Sequence, residues 1–146
     1  MGSLDGKRVR RPVEYDDLLN SLVREEKIFS TLKNALVFAA SVGYKKQIKL
    51  EFKESSEPIK LPVFDRDQDI PFMYALALAE TDDIKMMRED QFDQVIQIFE
   101  EYAHGGLSFI KSVYDPASSV QSLEQLVSEY NNSSDEVSDI FNELFG

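Results

Sequence analysis

The sequence predicts one mainly α domain: a compact bundle of five to seven helices with a small β-hairpin. Apolar residues recur at helical spacing along almost the whole chain, and they alternate with polar ones in a single stretch, between Lys45 and Phe64. The chain has 146 residues, 42% apolar and 11% aromatic, which is enough for one core and too apolar for a disordered tail.

From Pro12 onward, Tyr15, Leu18, Leu19, Leu22 and Val23 share one helical face. Glu14, Asp16 and Asp17 sit where the positive end of a helix dipole favours carboxylates. A second helix is expected from Glu26 to Val42, with Phe29, Leu32, Ala35, Leu36, Ala39 and Ala40 inward and Gly43 as a left-handed C-cap. Ile48, Leu50 and Phe52, then Ile59, Leu61 and Val63, read as the arms of a hairpin turning near Glu54 to Glu57. Pro62 has no amide donor, which puts the second arm at a sheet edge or demotes it to extended loop. After the polar stretch Asp65 to Asp69, Pro71 opens an all-round apolar helix, Phe72 to Glu80, expected at the centre of the domain.

Thr81 to Asp83 breaks the pattern. Glu89 to His104 then carries Phe92, Val95, Ile96, Phe99 and Tyr102 on one face, and Gly105-Gly106 interrupts it before Leu107, Phe109, Ile110, Val113 and Tyr114. The glycine pair either kinks one long helix or separates two. Asp115-Pro116 closes the segment. Ser118 with Gln121, and Ser133 with Glu136, have the capping-box pattern for two further helices. The first uses Val120, Leu123, Leu126, Val127 and Tyr130; the second uses Val137, Ile140, Phe141, Leu144 and Phe145. The expected organisation is a flexible basic arm over 1–11, a helical domain over 12–132 with its hairpin at about 45–64, and a C-terminal amphipathic helix over 133–146.

The 16 basic and 27 acidic side chains give a net charge of −11, unevenly spread. Residues 1–79 hold 13 basic and 12 acidic side chains, and residues 80–146 hold 3 basic and 15 acidic ones. The acidic half repels nucleic acid and complements a basic protein surface. Lys7, Arg8, Arg10 and Arg11 cluster in the arm, where they either contact phosphate or keep it solvated; with Lys45, Lys46 and Lys49 they are the candidates for a nucleic-acid contact. The absence of cysteine excludes thiolate nucleophiles, redox pairs and disulfides, and a single histidine is too few for a conventional zinc site. No apolar run reaches the roughly 18 residues of a membrane span and the N-terminus has no signal-peptide core, so a cytoplasmic protein is expected. The Met1-Gly2-Ser3 opening has the small-residue character of an expression remnant and is left out of the fold assignment.

Several constellations invite a catalytic reading. Glu51-Phe52-Lys53 has the E-x-K form in which a carboxylate holds Mg²⁺ and Lys helps activate water, but no acidic partner stands on a neighbouring strand, and a solvated strand face explains it better. Asp65, Asp67 and Asp69 open like a calcium loop. Ile70 then replaces the required Gly and Leu76 the bidentate Glu, so an acidic loop capping the next helix is preferred. Glu101 and His104, with Glu100 one turn away, have the spacing of a di-iron half-site whose second half is missing. His104 is expected to cap a helix C-terminus. Dinucleotide, P-loop and nucleophile-elbow fingerprints are absent.

The segment Phe99-Glu100-Glu101-Tyr102-Ala103-His104-Gly105-Gly106-Leu107 resembles a block of one small bacterial family. So do Leu36-Val37-Phe38-Ala39-Ala40-Ser41-Val42-Gly43-Tyr44 and the stretch from Ile70 to Thr81. From about Tyr15 to Val113 the chain resembles the small Dnd-associated proteins, the fourth family so named, encoded beside DNA phosphorothioation systems; the final helix lies outside these blocks. The resemblance implies a place in a bacterial modification, restriction and anti-phage defence system whose core enzymes replace a non-bridging phosphate oxygen of DNA with sulfur. It implies no active site for this component, and neither cofactor nor metal is expected.

Two functions of different class remain. In the first, the chain is a non-enzymatic accessory that binds a basic, DNA-handling protein of the phosphorothioation or restriction machinery. Its contacts are the stripe Val137, Ile140, Phe141, Leu144 and Phe145 and the pair Glu100 and Glu101, with DNA mimicry as a variant. The bland alternative docks the final helix on the chain's own core. In the second, the chain is a DNA-binding or Mg²⁺-dependent DNA-cleaving subunit that uses the basic cluster. Gly105 and Gly106 are expected to be structural, and paired final helices would make a homodimer natural.

Overall fold

The structure, a computed structural model, describes residues 6–114. Its centre is an antiparallel pair of long helices, α2 (Leu32–Lys46) and α5 (Phe92–Val113). The short α1 (Asp16–Asn20) precedes this pair, while α3 (Leu61–Arg66) and α4 (Ile70–Thr81) lie between its members in the chain, and α4 packs on α5. The only sheet among the described residues is two-stranded and antiparallel, β1 (Arg8–Val9) with β2 (Ile59–Lys60). The mainly α class with a small antiparallel β element is therefore what the chain adopts.

The first helical segment forms where Tyr15 to Val23 predict it, built from three kinds of turn: a 3-10 turn Val13–Tyr15, α1, and a π turn Ser21–Glu25. Leu18, Leu19 and Leu22 are its buried face. Each such side chain taken fully out of water contributes roughly 1.5–3 kcal/mol. The second helix starts six residues later than expected. Lys27 takes a left-handed φ of 54°, which ends the preceding helical path, and the Thr31 side chain accepts a hydrogen bond from the Asn34 amide at 3.1 Å as a proper N-cap. The helix also runs past Gly43, and Gln47, with φ 56°, is the left-handed cap in its place.

The expected hairpin arms do not pair with each other. Residues 48–54 form no strand and lie along α5, where the Leu50 amide donates to the Glu101 carbonyl at 3.1 Å. Leu61 and Pro62 begin α3, because proline's fixed φ suits the first helical turn. Ile59 and Lys60 then find their partner in Val9 and Arg8, with Val9 completely buried. So the basic segment expected to stand free is, from Lys7 to Arg11, part of the packed structure.

The helix α4 bears out the apolar run, with Pro71 in its first turn and Met73, Ala75, Leu76, Ala77 and Leu78 buried. Asp82, left-handed at φ 52°, ends it, and 3-10 turns Ile84–Met87 and Glu89–Gln91 lead into α5. Gly105-Gly106 neither kinks nor divides α5; the helix is continuous and none of the described glycines has positive φ. The pair serves close approach instead. A Cβ on Gly106 would fall on the Ala39 carbonyl of α2, one on Gly43 would fall on the Tyr102 carbonyl of α5, and Gly105 leaves room for the main chain at Ile48.

No described helix is long and apolar enough to cross a membrane. The expected elements after Tyr114, including both capping boxes and the stripe from Val137 to Phe145, lie outside the described residues.

Candidate functional site

From Phe99 to Leu107 every residue of α5 is buried, so its polar side chains need partners inside the protein. Asp93, Gln97, Glu100, Glu101 and His104 recur at three- and four-residue spacing and form one polar stripe. The N-terminal segment runs alongside in the same direction and meets it three times. Lys7 Nζ donates to Asp93 Oδ1 at 2.6 Å. Arg10 gives Glu100 its backbone amide at 2.6 Å, its Nη2 at 2.9 Å and its Nε at 3.2 Å. Glu14 Oε1 lies 2.8 Å from His104 Nε2.

Around these contacts the aromatic rings close. His104 lies edge-on to Tyr15, with centroids 5.6 Å apart, and tilted against Phe52 at 5.5 Å. The Arg10 guanidinium stands 4.7 Å over the Phe52 ring, a cation–π contact that also covers the ion pair. A second polar chain continues from Glu101, which accepts from Gln97 at 3.1 Å and lies 3.9 Å from Lys49 Nζ. Lys49 donates to Glu80 at 2.6 Å, and Tyr102 donates its hydroxyl to the same carboxylate.

Burial raises the Glu100 carboxyl above its ordinary range, even with Arg10 opposing the shift. Glu80 is held below that range by hydrogen bonds from Lys49 and Tyr102. The Tyr102 hydroxyl is pushed up by burial and by the Glu80 carboxylate that accepts from it. At the other end of the molecule, burial works against the Lys33 ammonium, but Asp69 at 2.6 Å and Asp67 at 3.0 Å outweigh it and raise its pKa.

The sequence candidates fare unevenly. Glu100 and Glu101 point inward, 3% and 9% exposed, and present nothing to a partner. Lys7, Arg10, Arg11 and Lys49 are each held by a carboxylate of the chain itself. Lys45 and Lys46 lie in the last turn of α2, with the Lys46 ammonium 4.7 Å over the Phe109 ring. Arg8 is exposed, opposite Lys60.

Glu51-Phe52-Lys53 lies in the irregular segment on α5, which removes the strand that its nuclease reading needs. Asp69 makes no side-chain cap to α4 and binds Lys33. His104 sits in the body of α5 and caps nothing; its Nδ1 is buried without a hydrogen-bond partner in the structure. Sequence reasoning noticed the spacing of Glu100, Glu101 and His104 but not what they bind. The missed signal is that Gly105-Gly106 places this stretch at a crowded crossing, where polar groups must be paired internally.

As built, the stripe fastens the N-terminal segment to α5 and through it holds β1 against β2. Two of its pairs reach solvent through their carboxylates, Lys7–Asp93 and Glu14–His104, with the Asp93 and Glu14 side chains 81% and 61% exposed.

No curated protein and no solved structure matches the chain. The family model for DNA sulphur modification system-associated protein 4 matches residues 8–143, which includes the fastened N-terminal segment, the glycine crossing and most of the sequence beyond α5. With nearly its whole length matched, the chain belongs to the DNA sulphur modification system-associated protein 4 family.

Proposed function

We propose that the chain is a non-enzymatic accessory of its DNA sulphur modification system. It binds another, basic protein of that system through the acidic stretch after Ser133. The observation that carries this reading is the division of charge. All 16 cations lie between Lys7 and Lys111, whereas residues 115–146 hold seven carboxylates and no cation. Asp135, Glu136, Asp139 and Glu143 surround the stripe Val137, Ile140, Phe141, Leu144 and Phe145, the pattern of an apolar helix face with an acidic rim. A basic, DNA-handling surface complements it.

Removing residues 133–146 is the direct test. The shortened protein is expected to keep its far-UV spectrum and to stop co-purifying with its partner. Retained binding, or unfolding with no selective loss of the partner, would sink the reading.

One observation favours a second reading, direct contact with DNA. Arg8 stands directly opposite Lys60 across the two-stranded sheet, a like-charge pair that a phosphate would relieve. That reading requires affinity for duplex DNA to fall steeply between about 50 and 200 mM salt. Weak, salt-insensitive binding ends it.

A further inference from the structure

The turn between α1 and α2 leaves a surface groove of about 780 Å³. Its apolar wall is Val23, Ile28 and Phe29, its cations are Arg24 and Lys27, and Asn34 of α2 closes it. Ile28 is 39% exposed there, while Phe29 is anchored on Phe38 at a ring separation of 5.2 Å. Among the described residues neither Arg24 nor Lys27 has an ion-pair partner, and no carboxylate lines the groove. An apolar floor with two unanswered cations calls for an apolar, acidic occupant.

The described chain ends beside it. The helices α2 and α5 are antiparallel, with Gly43 against Tyr102 and Ala39 against Gly106, so the end of α5 reaches the beginning of α2. There the Tyr114 hydroxyl lies 3.1 Å from Ser21 Oγ, in the π turn that also supplies Val23 and Arg24. Only residues 115–117, Asp-Pro-Ala, separate Tyr114 from the capping-box Ser118. Connections this short join helices that pack as neighbours.

We propose that the groove seats the chain's own segment from Ser118 to Tyr130. The stripe Val120, Leu123, Leu126, Val127 and Tyr130 lies on Val23, Ile28 and Phe29, and Glu124 and Glu129, which border that stripe on either side, face Arg24 and Lys27. The sequence pattern supplies what the groove lacks: apolar residues on one helical face, acid at its edges and no cation anywhere in the segment. The short tether favours this occupant over a second copy, because it makes the local concentration of the segment high. This seat anchors the near part of the acidic region and leaves residues 133–146 outside it, so the proposal stands whether or not those residues bind a partner.

The protein has no cysteine, so disulfide trapping reads the contact without background. Full-length Ile28→Cys is combined in turn with Leu123→Cys, Val127→Cys and, as the distal comparison, Leu144→Cys. The expected result is an intramolecular disulfide with position 123 or 127 that forms about tenfold faster than with 144. Equal rates, faster trapping at 144, disulfide-linked dimers, or no trapping at 123 and 127 in folded protein would each overturn the proposal; dimers would give the groove to a second copy.

A charge swap tests it without cysteines. Arg24→Glu is expected to raise the rate of chymotryptic cleavage after Leu123, Leu126 and Tyr130 severalfold, and Arg24→Glu with Glu124→Arg to restore it. An unchanged rate in the single variant, or no rescue in the double, would contradict the seat.

Discussion

At the residue scale, the defining feature is a carboxylate that the fold buries and then answers with one arginine. Glu100 is 3% exposed and receives three donors from Arg10, ninety positions away in the chain. Burial keeps its carboxyl above the ordinary range, so the folded state holds the proton more tightly than the unfolded chain does. Its contribution to stability is then fully present below the usual glutamate pKa of about 4.3 and is lost as pH rises through the folded value. Glu100→Gln cannot titrate. Its stability relative to the parent protein is expected to improve as pH rises from about 4 to 7, measured by urea unfolding at each pH. A variant that loses ground over that interval would show that Arg10, and not burial, controls the group. None of this is legible in the sequence, where Arg10 reads as part of a solvated arm and Glu100 as a surface acid, because periodicity reports faces within an element and not which distant segment lies across them.

At the scale of elements, the crossing of α2 and α5 decides the packing. Alanine normally favours a helix over glycine by about 1 kcal/mol. At Gly106 that gain is outweighed, since the added methyl meets a main-chain carbonyl that cannot rotate away. Gly106→Ala is expected to destabilise the domain by roughly 1–3 kcal/mol in thermal or urea unfolding, the range for overpacking a filled core. A stabilised variant would mean that the helices stand further apart.

The helices themselves were largely legible. The periodic residues Leu18, Leu19 and Leu22, Ala35, Leu36, Ala39 and Ala40, Met73 and Leu76, and Val95, Phe99 and Ile110 all lie in the core, alongside Val9, Leu61 and Phe64. The glycines misled for a physical reason: the same missing Cβ that permits a left-handed turn also permits two backbones to touch, and sequence alone does not separate these uses. The hairpin failed for a related one. Alternation marks extended chain, but the strand partner of Ile59 and Lys60 lies some fifty residues upstream.

On the whole-molecule scale, the charge map outlived the motifs. The chain's carboxylates and cations largely neutralise one another within the described body, through Lys33 with Asp67 and Asp69, Arg11 with Asp16, and Lys49 with Glu80. Seven of the eleven unbalanced negative charges are carried by the residues after α5. That division was readable from counting alone, and the family match, which extends to residue 143, includes the region that carries it. The candidate site was less readable: the pair Glu100 and Glu101, offered as a partner contact, turns out to be internal fastening, and the accessory role then rests on the C-terminal region.

The decisive measurement is an affinity pull-down of the tagged full-length chain from cells carrying the intact sulphur modification genes, with nuclease treatment and mass spectrometry. A partner from the same system, stoichiometric and resistant to nuclease, is the expected result. Association that disappears with nuclease, or no associated protein of that system, would contradict an accessory role based on protein contact.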